Sequence, residues 1–197
     1  AILTRKGYAA AKGVIHLTAE NERQALAKLA NYFYPSDGLN IIAVTGTNGK
    51  TSTAEFFRQL IELEGGKAAS IGTMGLGTSS IKGLEVPAIN TSPDPVLLHQ
   101  TLQQLQQAGA QAVALEASSH GLHQHRMDGV NLQAAAFTNL SRDHLDYHRN
   151  EKNYFEAKLR LFSYVLPRGK TAVLNKEDKY FPALKKIEHL TVRELPR

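Results

Sequence analysis

A glycine-rich turn that ends in a lysine–threonine pair is the segment of this sequence best suited to chemistry. Residues 45–51 read Thr-Gly-Thr-Asn-Gly-Lys-Thr, directly after the largely apolar run 39–43. Between a buried strand and a helix, such a turn offers backbone N–H groups and a helix N-terminus to an anion. Lys50 could reach β- and γ-phosphate oxygens, and the Thr51 hydroxyl could ligate Mg²⁺. The motif predicts a nucleoside triphosphate site, in a shorter loop variant because Val44 replaces the usual first glycine.

Polar side chains also follow two later apolar runs. Glu116 ends the run 112–115. A carboxylate there could hold Mg²⁺ directly or through water, or it could cap a following helix beside Ser118. The segment 138–148 combines an amide, two carboxylates and two histidines. Its His144 could bind a metal or a phosphate, although residues of this segment could also simply cap a helix.

A lysine lies on the apolar stripe of a predicted helix. Lys158 stands four residues after Tyr154 and four before Phe162. Residues with this spacing share a helix face, so Lys158 should point inward. Its ammonium group could snorkel to solvent, or the lysine could be functional, either charged or chemically modified.

Two further polar segments have both a functional and a structural interpretation. Residues 116–126 hold three histidines and Arg126, but the histidines lack the i, i+4 spacing of a zinc helix and the chain has no cysteine. Arg126 could clamp a carboxylate or phosphate, or form a surface salt bridge. The segment 90–94, Asn-Thr-Ser-Pro-Asp, stands where a helix begins, so helix capping explains it without a ligand.

The segments between these motifs alternate between strand and helix patterns. Strands are predicted at 14–17, 39–45, 67–72, 111–116, 133–138 and 170–174, and helices at 20–33, 50–63, 93–108, 151–163 and 178–187. The first helix should bury Ala25, Leu26, Leu29, Ala30 and Phe33, and residues 73–90 should form a hairpin or long loop. This alternation predicts an α/β fold, a mostly parallel sheet flanked by helices, with ligands at the carboxyl ends of the strands.

The composition favours a globular protein that handles small anions. The 197 residues are 42% hydrophobic and carry a net charge of +5, with the basic residues scattered rather than clustered. Nucleic acid is therefore not the expected partner. No apolar run approaches the roughly 18–20 residues that span a membrane, so no membrane association is expected. Use of ATP would favour a cytoplasmic location.

Five strings, taken in order, resemble the Mur ligase family, ATP-dependent enzymes that build the peptide of bacterial peptidoglycan. The resemblance is strongest to the MurE branch. The strings are 45–51, 90–92, 116–122 with Gln124 and Arg126, 138–148 and 154–162. The resemblance implies the central domain of a Mur ligase, with a phosphate-loop NTPase-like fold, over residues 39–197. Residues 1–38 would be the tail of an N-terminal UDP-binding domain and a linker, and a C-terminal domain would be absent.

The resemblance also implies a role for individual residues. The ATP phosphates would be held by Thr45, Gly46, Thr47, Asn48, Gly49, Lys50, Thr51 and Asn139. Magnesium would be held by Thr51, Glu116, His144 and Lys158, the last as a carbamate, and Lys50, Glu116, His144 and Lys158 would be catalytic. The UDP-muramoyl-dipeptide would be held by Asn90, Thr91, Ser92, Ser118, Gln124 and Arg126. Ser92 replaces a threonine common in the branch and keeps the hydroxyl.

The implied reaction is amide ligation in peptidoglycan synthesis, which serves cell-wall biogenesis, cell shape and cell division. With ATP and Mg²⁺, the enzyme would add diaminopimelate or lysine to UDP-N-acetylmuramoyl-L-alanyl-D-glutamate through an acyl phosphate, as a monomer. The isolated chain is expected to bind nucleotide weakly and not to ligate. The alternatives are folylpolyglutamate synthase or the ligase half of cyanophycin synthetase, which share the loop, or a non-catalytic nucleotide-binding module.

Overall fold

The computed structural model describes residues 1–8, 12–84 and 90–195. Within these ranges the strands are β1 Ile2–Arg5, β2 His16–Ala19, β3 Asn40–Thr45, β4 Ala68–Gly72, β5 Gly75–Gly77, β6 Ala112–Glu116, β7 Leu132–Phe137, β8 Thr171–Asn175 and β9 Thr191–Leu195. The helices are α1 Glu22–Phe33, α2 Lys50–Leu63, α3 Pro95–Gln107, α4 Ser119–His123, α5 Leu145–His148, α6 Glu151–Arg160 and α7 Phe181–Lys185. A π-helical turn, Leu161–Val165, continues α6.

One seven-stranded sheet organises the chain, in the order β5-β4-β6-β3-β7-β8-β9. All of its neighbouring strands are parallel except the β4–β5 hairpin. Strands β1 and β2 form a separate parallel pair. The predicted α/β class with a mostly parallel sheet is confirmed. Because β3 lies between β6 and β7, the segments that follow these three strands meet at one edge of the sheet.

The central strands are buried because their sequences are almost wholly apolar. Ala43 in β3, Val113 in β6 and Phe137 in β7 are each at most 1% exposed. Leu98 and Leu102, one helical turn apart on α3, join the same core. Within the described residues, no helix is both long and apolar enough to cross a membrane.

The buried face of α1 differs from the prediction. Leu26 and Phe33 are 40% and 68% exposed, whereas Ala27 and Ala30 are buried. Helix α1 packs against α3, and small side chains let two helices approach closely. The predicted apolar face was therefore right for Ala30 and wrong for Leu26 and Phe33. The domain boundary predicted at residue 38 stays a prediction.

Other differences concern element ends. The first predicted strand starts two residues later, at His16. The helix predicted at 151–163 changes to π-helical geometry after Arg160. The helix predicted at 178–187 is limited to Phe181–Lys185, and strand β1 and the short helices α4 and α5 were not predicted. Part of the predicted loop 73–90, residues 85–89, lies outside the described residues.

Candidate functional site

The phosphate-binding loop leaves β3 through a glycine with no room for a side chain. Gly46 has φ +152°, and a Cβ atom added there would lie 1.9 Å from Thr138 Oγ1 and 3.2 Å from the Asn139 backbone nitrogen. These two residues follow β7, the strand beside β3. Gly46 therefore lets the loop pass close to the end of β7.

The segment after β7 holds the loop in shape. The Thr47 N–H donates to the Asn139 carbonyl at 2.8 Å, and the Asn48 N–H donates to Asn139 Oδ1 at 3.1 Å. The Asn48 carbonyl accepts hydrogen bonds from Thr138 Oγ1 at 2.6 Å and from Asn139 Nδ2 at 3.2 Å. Two loop N–H groups are thus already engaged, whereas the N–H groups at the start of α2 have no acceptor within the helix and can serve an anion.

The start of α2 is built to present those donors. Gly49 is the N-cap residue, in the left-handed region at φ +83°, and it supplies no side-chain cap. The first N–H groups of a helix have no acceptor within the helix. Thr51, the predicted magnesium ligand, lies in this first turn. Thr45, just before the loop, is fully buried and its hydroxyl donates to the Ala117 carbonyl at 2.7 Å.

Lys50, the first residue of α2, folds back over the loop. Its Nζ donates to the carbonyls of Gly46 and Thr47 at 3.0 and 2.9 Å. Burial lowers the pKa of Lys50, while the carboxylates of Glu116 and Asp143 act in the opposite direction. The lysine is therefore close enough to both acids to feel their charges, and it lies where it can turn towards a bound phosphate.

Lys158 lies beneath the same loop. It is 1% exposed, so the inward orientation is confirmed and the snorkelling alternative is wrong. Its Nζ donates to the Gly46 carbonyl at 2.8 Å and lies 4.6 Å from the centroid of the Tyr154 ring. Burial and then repulsion by Lys50 lower its pKa to about 7, against the attraction of Asp143. Because both lysines contact one oxygen, their nitrogens lie within about 6 Å of each other, where like charges repel strongly.

Glu116 is buried at the end of β6, with 4% of its surface exposed. Its carboxylate accepts hydrogen bonds from the Thr73 N–H at 3.0 Å and the Thr73 hydroxyl at 3.2 Å. Gly72 makes room for it, since a Cβ atom there would lie 1.9 Å from Glu116 Oε1. The capping alternative is wrong, because α4 is capped by Ser118, whose Oγ accepts from the Gly121 N–H. Glu116 is thus held in place without a charged partner among these contacts.

The serines and threonines predicted to hold the substrate surround this carboxylate. The buried Ser92 donates its hydroxyl to the Glu116 carbonyl at 2.8 Å and accepts the Ser118 N–H at 3.0 Å. The hydroxyls of Thr91 and Thr73 lie 3.0 Å apart. One hydrogen-bonded chain therefore joins the predicted substrate residues to the predicted metal ligand.

The turn after α4 carries the other predicted substrate residues. Arg126 donates through Nη1 to the Ser92 carbonyl at 2.7 Å, and through Nε and Nη2 to Gln124 Oε1 at 3.1 and 2.7 Å. The Gln124 amide donates to the Tyr147 hydroxyl at 3.1 Å. Within the described residues Arg126 forms no ion pair, which argues against the surface salt bridge. Asn90 lines the same cleft as Gln124 and Arg126.

His144, another predicted metal ligand, lies on the segment that follows β7. Its backbone is left-handed, at φ +51°, and its ring lies 4.9 Å from His120 and 6.1 Å from Tyr154 between centroids. Its Nε2 lies 3.4 Å from a carboxylate oxygen of Asp143. In the described part of the chain, no group of three or more His, Cys, Asp or Glu residues could hold a metal ion. A metal here would need oxygens from phosphate, a hydroxyl or a carbamate.

Three residues of the site were not among the predicted ones. Thr73 anchors Glu116. The Asp143 carboxylate acts on the pKa of Lys50 and of Lys158, and the Tyr154 hydroxyl lies 3.2 Å from Thr47 Oγ1. Asp143 and Tyr154 lie within the strings 138–148 and 154–162 that carry the family resemblance, so both could have been predicted as site residues from the sequence. For Thr73, the sequence offers only its position directly after a predicted strand.

The profile of the Mur ligase middle domain matches residues 44–194. The chain belongs to the Mur ligase family. The match starts just before the phosphate loop and includes every residue of the site described above. The family predicted from the five strings is therefore confirmed.

Curated relatives carry a more specific name. The chain is 43% identical over 187 residues to the UDP-N-acetylmuramoyl-L-alanyl-D-glutamate–2,6-diaminopimelate ligase of Chelativorans sp. (strain BNC1), covering 95% of this chain and 38% of the relative. It is 48% identical over 167 residues to the ligase of the same name from Mesorhizobium japonicum, covering 83% and 33%. These relatives belong to the MurE branch, as predicted, and the chain spans less than two fifths of their length.

Solved structures agree with this placement. A structure of UDP-N-acetylmuramoyl-L-alanyl-D-glutamate–2,6-diaminopimelate ligase superposes with a TM-score of 0.79 at 34% identity, covering 94% of this chain and 38% of that one. E. coli FolC in complex with DHPP and ADP gives a TM-score of 0.65 at 17% identity, covering 88% and 46%. At 17% identity, the comparison with FolC shows only that the two proteins share a fold.

Proposed function

We propose that this chain is the nucleotide-binding part of an ATP-dependent ligase. The enzyme joins 2,6-diaminopimelate to UDP-N-acetylmuramoyl-L-alanyl-D-glutamate, with lysine as the alternative amino acid. The observation that carries the proposal is the phosphate loop, whose Gly46 carbonyl is shared by Lys50 and Lys158. The names of the relatives support the two substrates. A cytoplasmic, monomeric enzyme is part of the same proposal.

The reaction proceeds in two displacements. A carboxylate oxygen of the dipeptide attacks the γ-phosphorus of ATP, the bond to the bridging oxygen breaks, and ADP leaves. The amine of the amino acid then attacks the acyl carbon, inorganic phosphate leaves, and the nitrogen gives up a proton. Negative charge collects on the transferred phosphoryl group. Lys50 would neutralise part of it, and the N–H groups at the start of α2 would hold the phosphates.

The substrate side of the reaction is a positioning task. Ser92, Ser118 and Arg126 form one hydrogen-bonded unit next to Glu116. Such a unit would hold the dipeptide so that its carboxylate faces the γ-phosphate, and fixed orientation of this kind lowers the barrier substantially. Asn90 and Gln124 would complete it from the cleft beside Arg126.

The residues present fit magnesium bound through oxygen. Thr51 and Glu116 supply a hydroxyl and a carboxylate, and Mg²⁺ in such sites takes few protein ligands besides phosphate oxygens. When bound, it would neutralise phosphate charge. Glu116 fits because its carboxylate is oriented by Thr73 and has a space kept open by Gly72. His144 stays a proposed ligand.

Lys158 fits the carbamate that the family resemblance implies. Carbon dioxide adds to a neutral amine, forming an N–C bond and releasing a proton, and with a pKa of about 7 much of this amine is neutral near pH 7. The product is an anion beside Lys50, so repulsion would become attraction. An oxygen ligand for a metal would then stand beneath the loop.

Removing the Lys50 amine tests the nucleotide site. Wild-type chain should gain thermal stability when Mg-ATP is added, and Lys50→Ala should lose most of that gain. Lys186→Ala, at an exposed lysine that directly follows α7, is the matched control and should keep it. An equal gain in Lys50→Ala and wild type would favour a non-catalytic module instead. Differential scanning fluorimetry over a range of Mg-ATP concentrations measures the effect.

A further inference from the structure

A cleft of about 270 Å³ opens between α1, the start of α3 and the turn that follows α4. Its lining includes Arg23, Asn90, Asp94, Gln124 and Arg126. Three of these five are proposed substrate residues. Arg23 comes from α1. That helix lies within residues 1–38, which were predicted to be the tail of an N-terminal domain and a linker.

The two arginines of the cleft differ in how far their donors are used. All three nitrogens of the Arg126 guanidinium donate to protein acceptors. The Arg23 side chain forms no hydrogen bond or ion pair within the described residues, and its interaction is electrostatic attraction to Glu22. Glu22 is itself hydrogen-bonded to Arg5 at 2.5 Å. Among the described residues, the Arg23 guanidinium therefore keeps all of its N–H groups for a ligand, whereas Arg126 keeps one N–H on each Nη.

The charge of the cleft favours an anion. Two arginines line it against one carboxylate, that of Asp94. Asp94 caps α3, and its Oδ1 accepts the N–H groups of Val96 and Leu97. Part of its negative charge is thus already matched by the helix N-terminus. A guanidinium without a partner recognises carboxylate or phosphate oxygens through two parallel hydrogen bonds.

The backbone beneath Arg23 is fixed on both sides. Asn21 lies 2.9 Å from His125 Nε2, and Gln24 donates to Asp128 Oδ2 at 3.2 Å. Both contacts join α1 to the same turn that carries Gln124 and Arg126. The distance between the Arg23 backbone and that turn is therefore held, as a residue that binds a ligand requires.

We propose that Arg23 is a further substrate-binding residue, whose guanidinium holds an oxyanion of the substrate at the cleft shared with Gln124 and Arg126. The oxyanion is a carboxylate of the dipeptide or the diphosphate of the UDP group. This inference rests on the proposed function. It adds that the N-terminal helix supplies part of the substrate site rather than acting only as a connection.

Isothermal titration of the 197-residue chain with UDP-N-acetylmuramoyl-L-alanyl-D-glutamate tests the proposal. Arg23→Ala should weaken binding about 10- to 100-fold, as for the loss of a charge-assisted hydrogen bond. Arg23→Lys should recover part of the affinity. Lys28→Ala, at an exposed lysine on the same helix, should bind as wild type does. Thermal unfolding midpoints of all variants should match, since Arg23 is exposed.

Titration with UDP alone separates the two oxyanions. If Arg23 holds the diphosphate, Arg23→Ala weakens UDP binding as well, and if it holds a carboxylate, UDP binding is unchanged. Arg126→Ala separates this inference from the proposed function. Weak binding by Arg126→Ala with normal binding by Arg23→Ala overturns only the role of Arg23. Absence of binding by the wild-type chain, or normal binding by both variants, overturns the substrate site and the inference together.

Discussion

Replacing Lys158 by methionine should stabilise the fold near neutral pH. Methionine keeps the length of the apolar stem but has no amine, and the site is 1% exposed. In the wild type, burial and repulsion by Lys50 lower the pKa from 10.5 to about 7. Folding at pH 7 therefore either removes a proton from this amine or buries its charge, and both cost free energy.

The sign and size follow from the two pKa values. Between pH 7 and 10.5 the unfolded chain binds more protons than the folded one, so the stability contributed by Lys158 rises with pH and is lowest below about pH 7. The cost is about 4 kcal/mol at pH 7, about 2 kcal/mol at pH 9 and under about 1 kcal/mol at pH 10. The lost hydrogen bond to Gly46 offsets about 1 kcal/mol. Lys158→Met should thus gain roughly 2–3 kcal/mol at pH 7, and the gain should shrink by about 2 kcal/mol at pH 9.

Urea unfolding between pH 6 and pH 10 in buffers free of carbon dioxide measures this difference. Lys152→Met, at an exposed lysine of the same helix, is the control and should follow the wild-type curve. Bicarbonate should change the stability of the wild type and leave Lys158→Met unaffected, because the variant has no amine to carbamylate. Parallel pH curves for wild type and Lys158→Met would refute the reasoning, as would a variant less stable than wild type at pH 7.

Two further substitutions test the packing that supports the site. Gly46→Ala should lose more than about 3 kcal/mol, because its Cβ would lie 1.9 Å from Thr138 Oγ1. Gly65→Ala, also at positive φ but with no atom within 4 Å, should lose only about 1–2 kcal/mol, and equal losses in denaturant unfolding would contradict the close approach. Asp128→Asn should cost about 3–5 kcal/mol, because it leaves Arg160, hydrogen-bonded to both carboxylate oxygens, without its anion. Burial would raise the pKa of Asp128, but the Arg160 hydrogen bonds hold it below 3.8. Thermal scans should therefore show this stability lost only as the pH falls below that value. An Asp128→Asn variant as stable as wild type at pH 7 would contradict the role of the Asp128–Arg160 pair.

The sheet could be predicted because its central strands are short apolar runs between turn residues. The runs at 39–45 and 111–116 match β3 and β6 to within one residue. A parallel sheet buries both faces, so such runs need no alternation to be recognised. The inward lysine was predictable for a related reason, since helical spacing alone places Lys158 with Tyr154 and Phe162.

Contacts between distant segments could not be predicted in the same way. The predicted face of α1 included Leu26 and Phe33, yet packing on α3 buries Ala27 beside the predicted Ala30 and leaves those two large side chains exposed. Thr73 contacts Glu116 across 43 positions of sequence. Neither fact is encoded in local periodicity, because each depends on which elements the sheet order brings together.

The Gly46 carbonyl shows most clearly what the fold adds to the sequence motif. The motif predicts that the loop donates hydrogen bonds to an anion, and it says nothing about acceptors. In the folded chain this one oxygen accepts from Lys50, four residues along, and from Lys158, 112 residues along. The two ammonium groups therefore repel each other, and that repulsion adds to burial in lowering the pKa of Lys158. An anion that drew Lys50 away, or a carbamate on Lys158, would relieve this repulsion, so the two amines form an arrangement that becomes more favourable once negative charge arrives.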